Sequence, residues 1–425
     1  MSGLALLARA LGAQVSGSDR AASPYLEPLR DAGIEAALGE HSVANVPAGA
    51  ELVYSSAVGA DNPERVAARE RGDPELPREA LLGELAARRR VLAVAGTHGK
   101  TTTASMVAVA LLGAGLDPGY LIGGTLRQTG LNAAWGSGDW LVVEADESDR
   151  SLLVLRPAIA VLLNAELDHH ATFGSRLEVE QVFREYLASS ELAVIPDLPA
   201  LRELAGATAV HAVAKPDATP DRGGVRLRWR GEELTLAVPG AHNAANAALA
   251  LEASTLAGGQ PSALAAALVG FRGAARRFER LGASRAGAEL YDDYAHHPTE
   301  VRATLQAART HSPRRLVAVL QPHLYSRTLA LAGAFGTALA EADVVCVVDV
   351  YGARELAEDF PGVSGRLVAQ AAADAAGGRP VAWMPALEQA RSWLDGELRA
   401  GDLCVLLGAG DIDALGRSLV AVEHA

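Results

Sequence analysis

The run Val91-Leu92-Ala93-Val94-Ala95 leads into Gly96-Thr97-His98-Gly99-Lys100-Thr101-Thr102-Thr103, and an apolar stretch then continues to Leu112. That order reads as a strand, a glycine-rich turn and a helix. Glycines let backbone amides close around an anion, and a helix N-terminus adds partial positive charge. Lys100 would neutralise the outer phosphates of a nucleotide, and Thr101 would offer its hydroxyl to Mg2+. The usual phosphate-loop spacing asks for glycine at position 94, where this chain has Val94, so the loop is a shortened form. The competing reading is an ordinary strand–turn–helix corner. The lysine argues against it: Lys100 and Lys215 are the chain's only lysines, and arginine carries the remaining positive charge. A slim ammonium threads between phosphates where a planar guanidinium does not. Placed in a surface turn, Lys100 should be replaceable without opening a core cavity.

Further chemistry-bearing residues stand at the ends of other apolar runs. Trp140-Leu-Val-Val-Glu144 is followed by Ala-Asp146-Glu147-Ser-Asp149, four acids at a strand end. Clustered carboxylates are costly without a cation, and Mg2+ prefers oxygen ligands; a solvated acidic loop is the plainer alternative. Ile159 to Asn164 runs into Ala-Glu166-Leu-Asp168-His169-His170. Pro239-Gly-Ala-His242-Asn243-Ala-Ala-Asn246 opens an alanine-rich helix, where asparagine is commonly just a cap. Arg276-Arg277-Phe278, Tyr291-Asp-Asp293-Tyr294-Ala-His-His297-Pro-Thr-Glu300 and Gln321-Pro-His323-Leu-Tyr-Ser-Arg327-Thr crowd ionisable and aromatic groups into turns. A bland polar corner seldom holds so many.

The elements that must position these groups alternate along the whole chain. Strands are expected at Gln14–Ser16, Glu51–Ser55, Val91–Ala95, Trp140–Glu144, Ile159–Asn164, Leu192–Ile195, Leu316–Gln321, Val344–Val350, Val381–Met384 and Leu403–Leu407, with helical runs between them. Near-continuous apolar strands suit a parallel sheet buried on both faces, so the class is α/β. Val225–Trp229 and Glu233–Val238 alternate around Arg230-Gly231 as a β-hairpin. With 425 residues, several domains are expected. A polar break at Arg88–Arg90 and a Gly/Arg-rich stretch from Arg276 to Gly287 suggest domains at 1–88, 89–281 and 282–425.

Composition narrows the function. The chain is 49% hydrophobic and 21% charged, enough to bury large cores. A net charge of −13 argues against a nucleic-acid partner and a polybasic membrane surface. No apolar run reaches the ~18 residues of a membrane span. Cys346 and Cys404 lie far apart in apolar runs with no zinc spacing, as core thiols of a reducing, cytoplasmic protein would.

GTHGKTTT, EADESD, NAELDHH, PGAHNAAN, ARRFE, YDDYAHHPTE and QPHLYSRT, in this order, resemble the Mur ligases of peptidoglycan synthesis over nearly the whole chain. Within that family, YDDYAHHPTE with QPHLYSRT is most similar to the branch joining L-alanine to UDP-N-acetylmuramate. A murein-tripeptide recycling ligase is the runner-up, and a folylpolyglutamate-synthetase-like ligase is more remote. The resemblance implies three domains: a Rossmann-like UDP-sugar domain, a central P-loop ATPase-type domain and a Rossmann-like C-terminal domain that brings the amino acid. It also implies a reaction: the substrate carboxylate attacks the γ-phosphate of ATP, and the amine then displaces phosphate from the acyl phosphate. Cell-wall formation, cell shape and division would depend on it. The enzyme would be a monomer or weak homodimer without membrane insertion.

Carried over by the resemblance, Gly96, Thr97, His98, Gly99, Lys100, Thr101 and Thr102 would hold the ATP phosphates. Thr101 and Glu144 would bind one Mg2+ and His169 a second. His242, Asn243, Asn246, Arg277 and Asp293 would meet the nucleotide. Ser18, Asp19, Ser55, Ser56, Tyr294, His297 and Arg327 would face the substrates, with Lys100, His169, His323 and Arg327 catalytic. Arg327 suits an amino-acid carboxylate. Leu324 stands where many relatives have arginine, and no lysine between His169 and Lys215 matches the carbamylated lysine of several Mur ligases. Met1-Ser-Gly-Leu4 reads as the tail of an opening glycine loop entering a first helix. The first Rossmann strand thus looks missing, and a natural start ~15–20 residues upstream is expected from typical element lengths.

Overall fold

The computed structural model describes residues 1–168, 172–221 and 223–421. Contacts divide the chain into two compact units: Met1–Ala165 with Leu177–Ala214 and Leu249–Ala267, and Glu166–Arg176 with Lys215–Ala248 and Leu268–Ala425. Each is α/β, and none of the helices among the described residues is long and apolar enough to cross a membrane.

The first unit is built on a seven-stranded sheet. Its order is Ala209–Val213, Leu192–Pro196, Ile159–Leu162, Arg90–Ala95, Trp140–Glu144, Gly119–Leu126 and Leu131–Ala134. All neighbours are parallel except the last pair. The central strands are buried almost throughout, as their unbroken apolar sequences require. Tyr186 reaches into this core and donates its hydroxyl to the Ala93 carbonyl at 2.9 Å, while burial pushes its phenol pKa up. The Gly119–Leu126 strand escapes a pattern reading because glycines at 119, 123 and 124 break the expected apolar alternation, and Leu131–Ala134 because it is only four residues long.

The N-terminal region of this unit holds two separate parallel pairs, Ser16–Asp19 with Glu35–Leu38 and Leu52–Tyr54 with Glu75–Pro77. The first strand therefore lies later than Gln14–Ser16, because pairing with Glu35–Leu38 carries it through Ser18 and Asp19. Leu26, Leu29 and Ile34 form a small local core. The helix Ser2–Ala10 buries Gly3, Leu4 and Leu7. Gly3 lies so close to Leu121 and Ala133 that a Cβ would collide with them.

The second unit has a six-stranded sheet in the order Glu279–Ala283, Glu289–Asp293, Asp402–Leu407, Arg315–Leu320, Val344–Val347 and Val381–Trp383. The first pair is antiparallel and the rest are parallel. Alternate residues feed two cores. Leu316, Ala318, Leu320, Val405 and Leu407 pack on one face; Val317, Val319, Cys346, Cys404 and Leu406 pack on the other. Both cysteines are free and buried, and burial pushes the Cys346 thiol up to about 12. The hairpin Gly224–Trp229/Glu232–Leu236 forms as patterned and gains a third strand, Ala218–Asp221.

Candidate active site

In the first unit the strand Arg90–Ala95 ends at Gly96, and the helix Lys100–Gly113 starts just after Gly99. Gly96 and Gly99 have φ of +137° and +85°, values that favour glycine. A Cβ on Gly96 would lie 3.0 Å from Leu163 Cβ and 3.2 Å from the Asn164 amide. Asn164 clamps the turn from both sides. Its Oδ1 accepts from the His98 amide at 2.9 Å, and its Nδ2 donates to the His98 carbonyl at 3.0 Å. This use of Asn164 was not legible from sequence beyond its place at a strand end.

Lys100 does not sit on an open surface turn, as the sequence suggested. Its side chain is only 12% exposed. The ammonium donates to the Gly96 and Thr97 carbonyls at 2.8 and 3.2 Å and to both oxygens of Glu147 at 3.0 and 2.8 Å. Burial opposes that charge, but Glu147, Asp146 and Glu144 outweigh it and hold the pKa above the ordinary lysine value. The acidic run after Trp140–Glu144 is thus bound to the loop as its counter-charge. Thr101 donates its hydroxyl to Glu144 Oε1 at 2.8 Å, and the Gly123 amide donates to Oε2 at 2.6 Å. The two expected Mg2+ ligands are therefore in contact. Thr97 is buried and Thr102 half-buried on the same turn.

Ser18 and Asp19 end the strand Ser16–Asp19, while Ser55 and Ser56 follow Leu52–Tyr54. Ser18 donates to Glu64 at 2.7 Å. Glu64 also accepts from Asn45 Nδ2 at 2.7 Å and the Ser42 amide at 3.4 Å. Burial works to raise the Glu64 pKa, but these hydrogen bonds outweigh it and leave it lowered. Nothing in the sequence singled out Glu64.

In the second unit, Asp293 ends the strand Glu289–Asp293 and accepts from the Phe278 and Ala295 amides, both at 2.8 Å. Burial pushes its carboxyl up to about 6 against the pull of Arg277. The Arg277 guanidinium stands 5.1 Å from the Tyr294 ring. Its neighbour Arg276 pairs with Asp292 at 3.0 Å and donates to the Gly408 and Gly410 carbonyls. His297 caps the helix Pro298–Arg309, with Glu300 completing the capping box. His242, Asn243 and Asn246 lie in the first turns of Ala241–Leu256, and Asn243 is buried, donating to the Pro239 carbonyl at 2.7 Å. The cap reading of Asn243 fails: it stands inside the helix and its side chain reaches back.

His323 precedes the helix Tyr325–Leu339, which contains Arg327. Arg327 is 1% exposed and sends Nε and a terminal nitrogen to Asp168 Oδ1, each at 2.8 Å. Its other terminal nitrogen stands 3.2 Å from His323 Nδ1. Guanidinium can only donate, so Nδ1 accepts and neutral His323 carries its proton on Nε2. Burial, then His296 and Arg327, push His323 down to about 3. Leu324 is buried with φ of +68°. Asp168 as the partner of Arg327 was not foreseen; a separation of 159 residues leaves no sequence signal. His169, expected as a metal ligand and catalytic group, lies outside the described residues.

A parallel-sheet turn with this lysine–carboxylate arrangement in one unit and, in the other, a sheet whose strand ends carry His, Asp and Arg are features of an ATP-dependent ligase of the Mur type. Three family models match: "Mur ligase family, catalytic domain" over 1–90, "Mur ligase middle domain" over 94–254 and "Mur ligase, glutamate ligase domain" over 276–410. The chain belongs to the Mur ligase family. It is 44% identical to the UDP-N-acetylmuramate–L-alanine ligase of Kineococcus radiotolerans, across 98% of this chain and 92% of that one. Identity to the enzyme of the same name from Saccharopolyspora erythraea is 42%, covering 99% and 90%. The crystal structure of the UDP-N-acetylmuramate-alanine ligase from Thermotoga maritima superposes with a TM-score of 0.83 at 27% identity, covering 99% and 95%.

Proposed function

We propose that the chain joins L-alanine to UDP-N-acetylmuramate at the expense of ATP, a step in making peptidoglycan precursors. The observation that carries this is the lysine held at the start of Lys100–Gly113, with two left-handed glycines before it and the Thr101–Glu144 contact beside it. The names of the relatives supply the substrates. The proposed division of labour is UDP-sugar on 1–88, ATP on 89–281 and amino acid on 282–425. The enzyme would work in the cytoplasm, where ATP is, as a monomer or weak homodimer.

The sugar-acid carboxylate oxygen attacks the γ-phosphorus, and ADP leaves. The L-alanine amine attacks the resulting acyl carbon, and phosphate leaves. No covalent bond to the protein is needed, so positioning and charge neutralisation dominate. Gly96 to Thr102 would present amides to the phosphates, and the positive φ values of Gly96 and Gly99 turn the backbone for that cradle. Lys100 would exchange part of its grip on Glu147 for the transferring phosphate. A magnesium ion would shield the phosphate charge, held by the oxygens of Thr101 and Glu144, with His169 taking a second ion. His242, Asn243, Asn246, Arg277 and Asp293 would meet the nucleotide. Ser18, Asp19, Ser55 and Ser56 would face the UDP-sugar, and Tyr294, His297 and Arg327 the reacting end. With Nδ1 taken up by Arg327 and burial holding its pKa down, His323 would act as a hydrogen-bond donor through Nε2–H and not as a base.

Phosphate release with ATP, UDP-N-acetylmuramate and a panel of amino acids and murein peptides tests the reading. Turnover should require the sugar acid and be fastest with L-alanine. Preference for a tripeptide would select the recycling ligase instead.

A further inference from the structure

We infer that Arg354 supplies the carboxylate-binding cation that Leu324 cannot, making it a substrate-binding residue for the incoming amino acid. The inference rests on the ligase reading above. Position 324 holds a buried leucine, so the turn after His323 offers no charge of its own. Arg327 is buried, and two of its nitrogens are already committed to one oxygen of Asp168. An arriving carboxylate near His323 therefore gains from a second cation beside Arg327.

The segment after Val344–Val347 is clamped onto this turn at two points. Tyr351 forms an isolated parallel bridge with His323, and its carbonyl accepts from the Leu324 amide at 3.0 Å. The rings of His323 and Tyr351 stack with centroids 5.8 Å apart. Four residues on, Glu355 accepts from the Ser326 amide at 2.9 Å and from its hydroxyl at 2.5 Å. Between the clamps, a Cβ on Gly352 would lie 2.9 Å from the Tyr325 ring, and Ala353 takes a left-handed φ of +50°. Arg354 is thus held on a short, pinned loop beside residues 323–326. It is exposed and makes no ion pair or hydrogen bond among the described residues. Its charge already reaches His323, where it adds to the forces that keep the imidazole neutral. An exposed guanidinium on a loop pinned to the turn that carries the His323 imidazole is suited to grip a carboxylate bidentately.

The test is steady-state phosphate release by wild type, Arg354→Ala and Arg354→Lys, varying L-alanine, ATP and UDP-N-acetylmuramate in turn. Because Arg354 is exposed and makes no ion pair or hydrogen bond among the described residues, all three should fold alike. Arg354→Ala should raise KM for L-alanine at least tenfold while KM for ATP and the sugar acid moves less than twofold. Arg354→Lys should recover part of the loss. An unchanged KM for L-alanine in Arg354→Ala overturns the inference, as does a rise confined to ATP, which would mean a phosphate contact. Either result leaves the ligase reading standing if wild type still needs the sugar acid and an amino acid. A wild type that turns over no amino acid overturns both.

Discussion

Replacing Lys100 by methionine separates its structural work from its chemical work. The ammonium makes four contacts within 3.2 Å, two to carbonyls and two to Glu147. Glu147 is 1% exposed on its side chain. Removing one partner of a buried pair costs about 3–5 kcal/mol, because the other charge stays buried. Partial exposure of Lys100 puts the expected loss near the lower end, about 3 kcal/mol. Exchanging both partners, Lys100→Met with Glu147→Leu, removes the stranded carboxylate and should recover most of it. About 1 kcal/mol should remain lost from the two carbonyls that lose their donor. Hydrogen-exchange protection of the Lys100–Gly113 amides reads both values. Turnover should fall ~100-fold or more in the single and double variants alike, since the cation at the phosphate is gone from each. A single variant destabilised by less than about 1 kcal/mol, or a double variant no more stable than the single, refutes the buried-pair argument. Turnover above about a tenth of wild type refutes the catalytic one.

Glu144→Gln should raise the Mg2+ concentration needed for half-maximal turnover; an unchanged magnesium titration would mean that the Thr101–Glu144 contact is structural only. Arg327→Lys should weaken L-alanine binding and destabilise the second unit, because one ammonium cannot serve Asp168 twice and His323 once; unaltered KM and unfolding midpoint would contradict this. Asp292 is fully buried, and burial outweighs Arg276 to push its carboxyl from 3.8 up to about 6. A raised folded pKa gives stability that is complete below about pH 4 and is lost as pH rises through 6, by about 2–3 kcal/mol. Wild-type stability should therefore fall relative to Asp292→Asn between pH 4 and 7 in urea titrations, and a constant difference would refute the shift.

Local chemistry makes much of this molecule legible in its sequence. The strands around Val91–Ala95, Trp140–Glu144, Arg315–Leu320 and Asp402–Leu407 announce themselves because a strand buried on both faces must be apolar throughout. The glycines at 96 and 99 mark their turn because few other residues reach those φ values at low cost. Seven ordered motifs then pointed to the Mur ligases. Partnership across long sequence separation left no such mark. Glu147 under Lys100, Glu64 under Ser18 and Asp168 against Arg327 are 47, 46 and 159 residues apart. Glu64 looks like any other acid in the chain, and Glu147 and Asp168 stand out only as members of strand-end runs, with nothing to name their partners. Packing alone strips each acid of water, and a buried carboxylate is tolerable only where a donor or cation has been brought to meet it. Residue type thus announces which groups can do chemistry, while desolvation, which exists only after folding, selects which of them are paired.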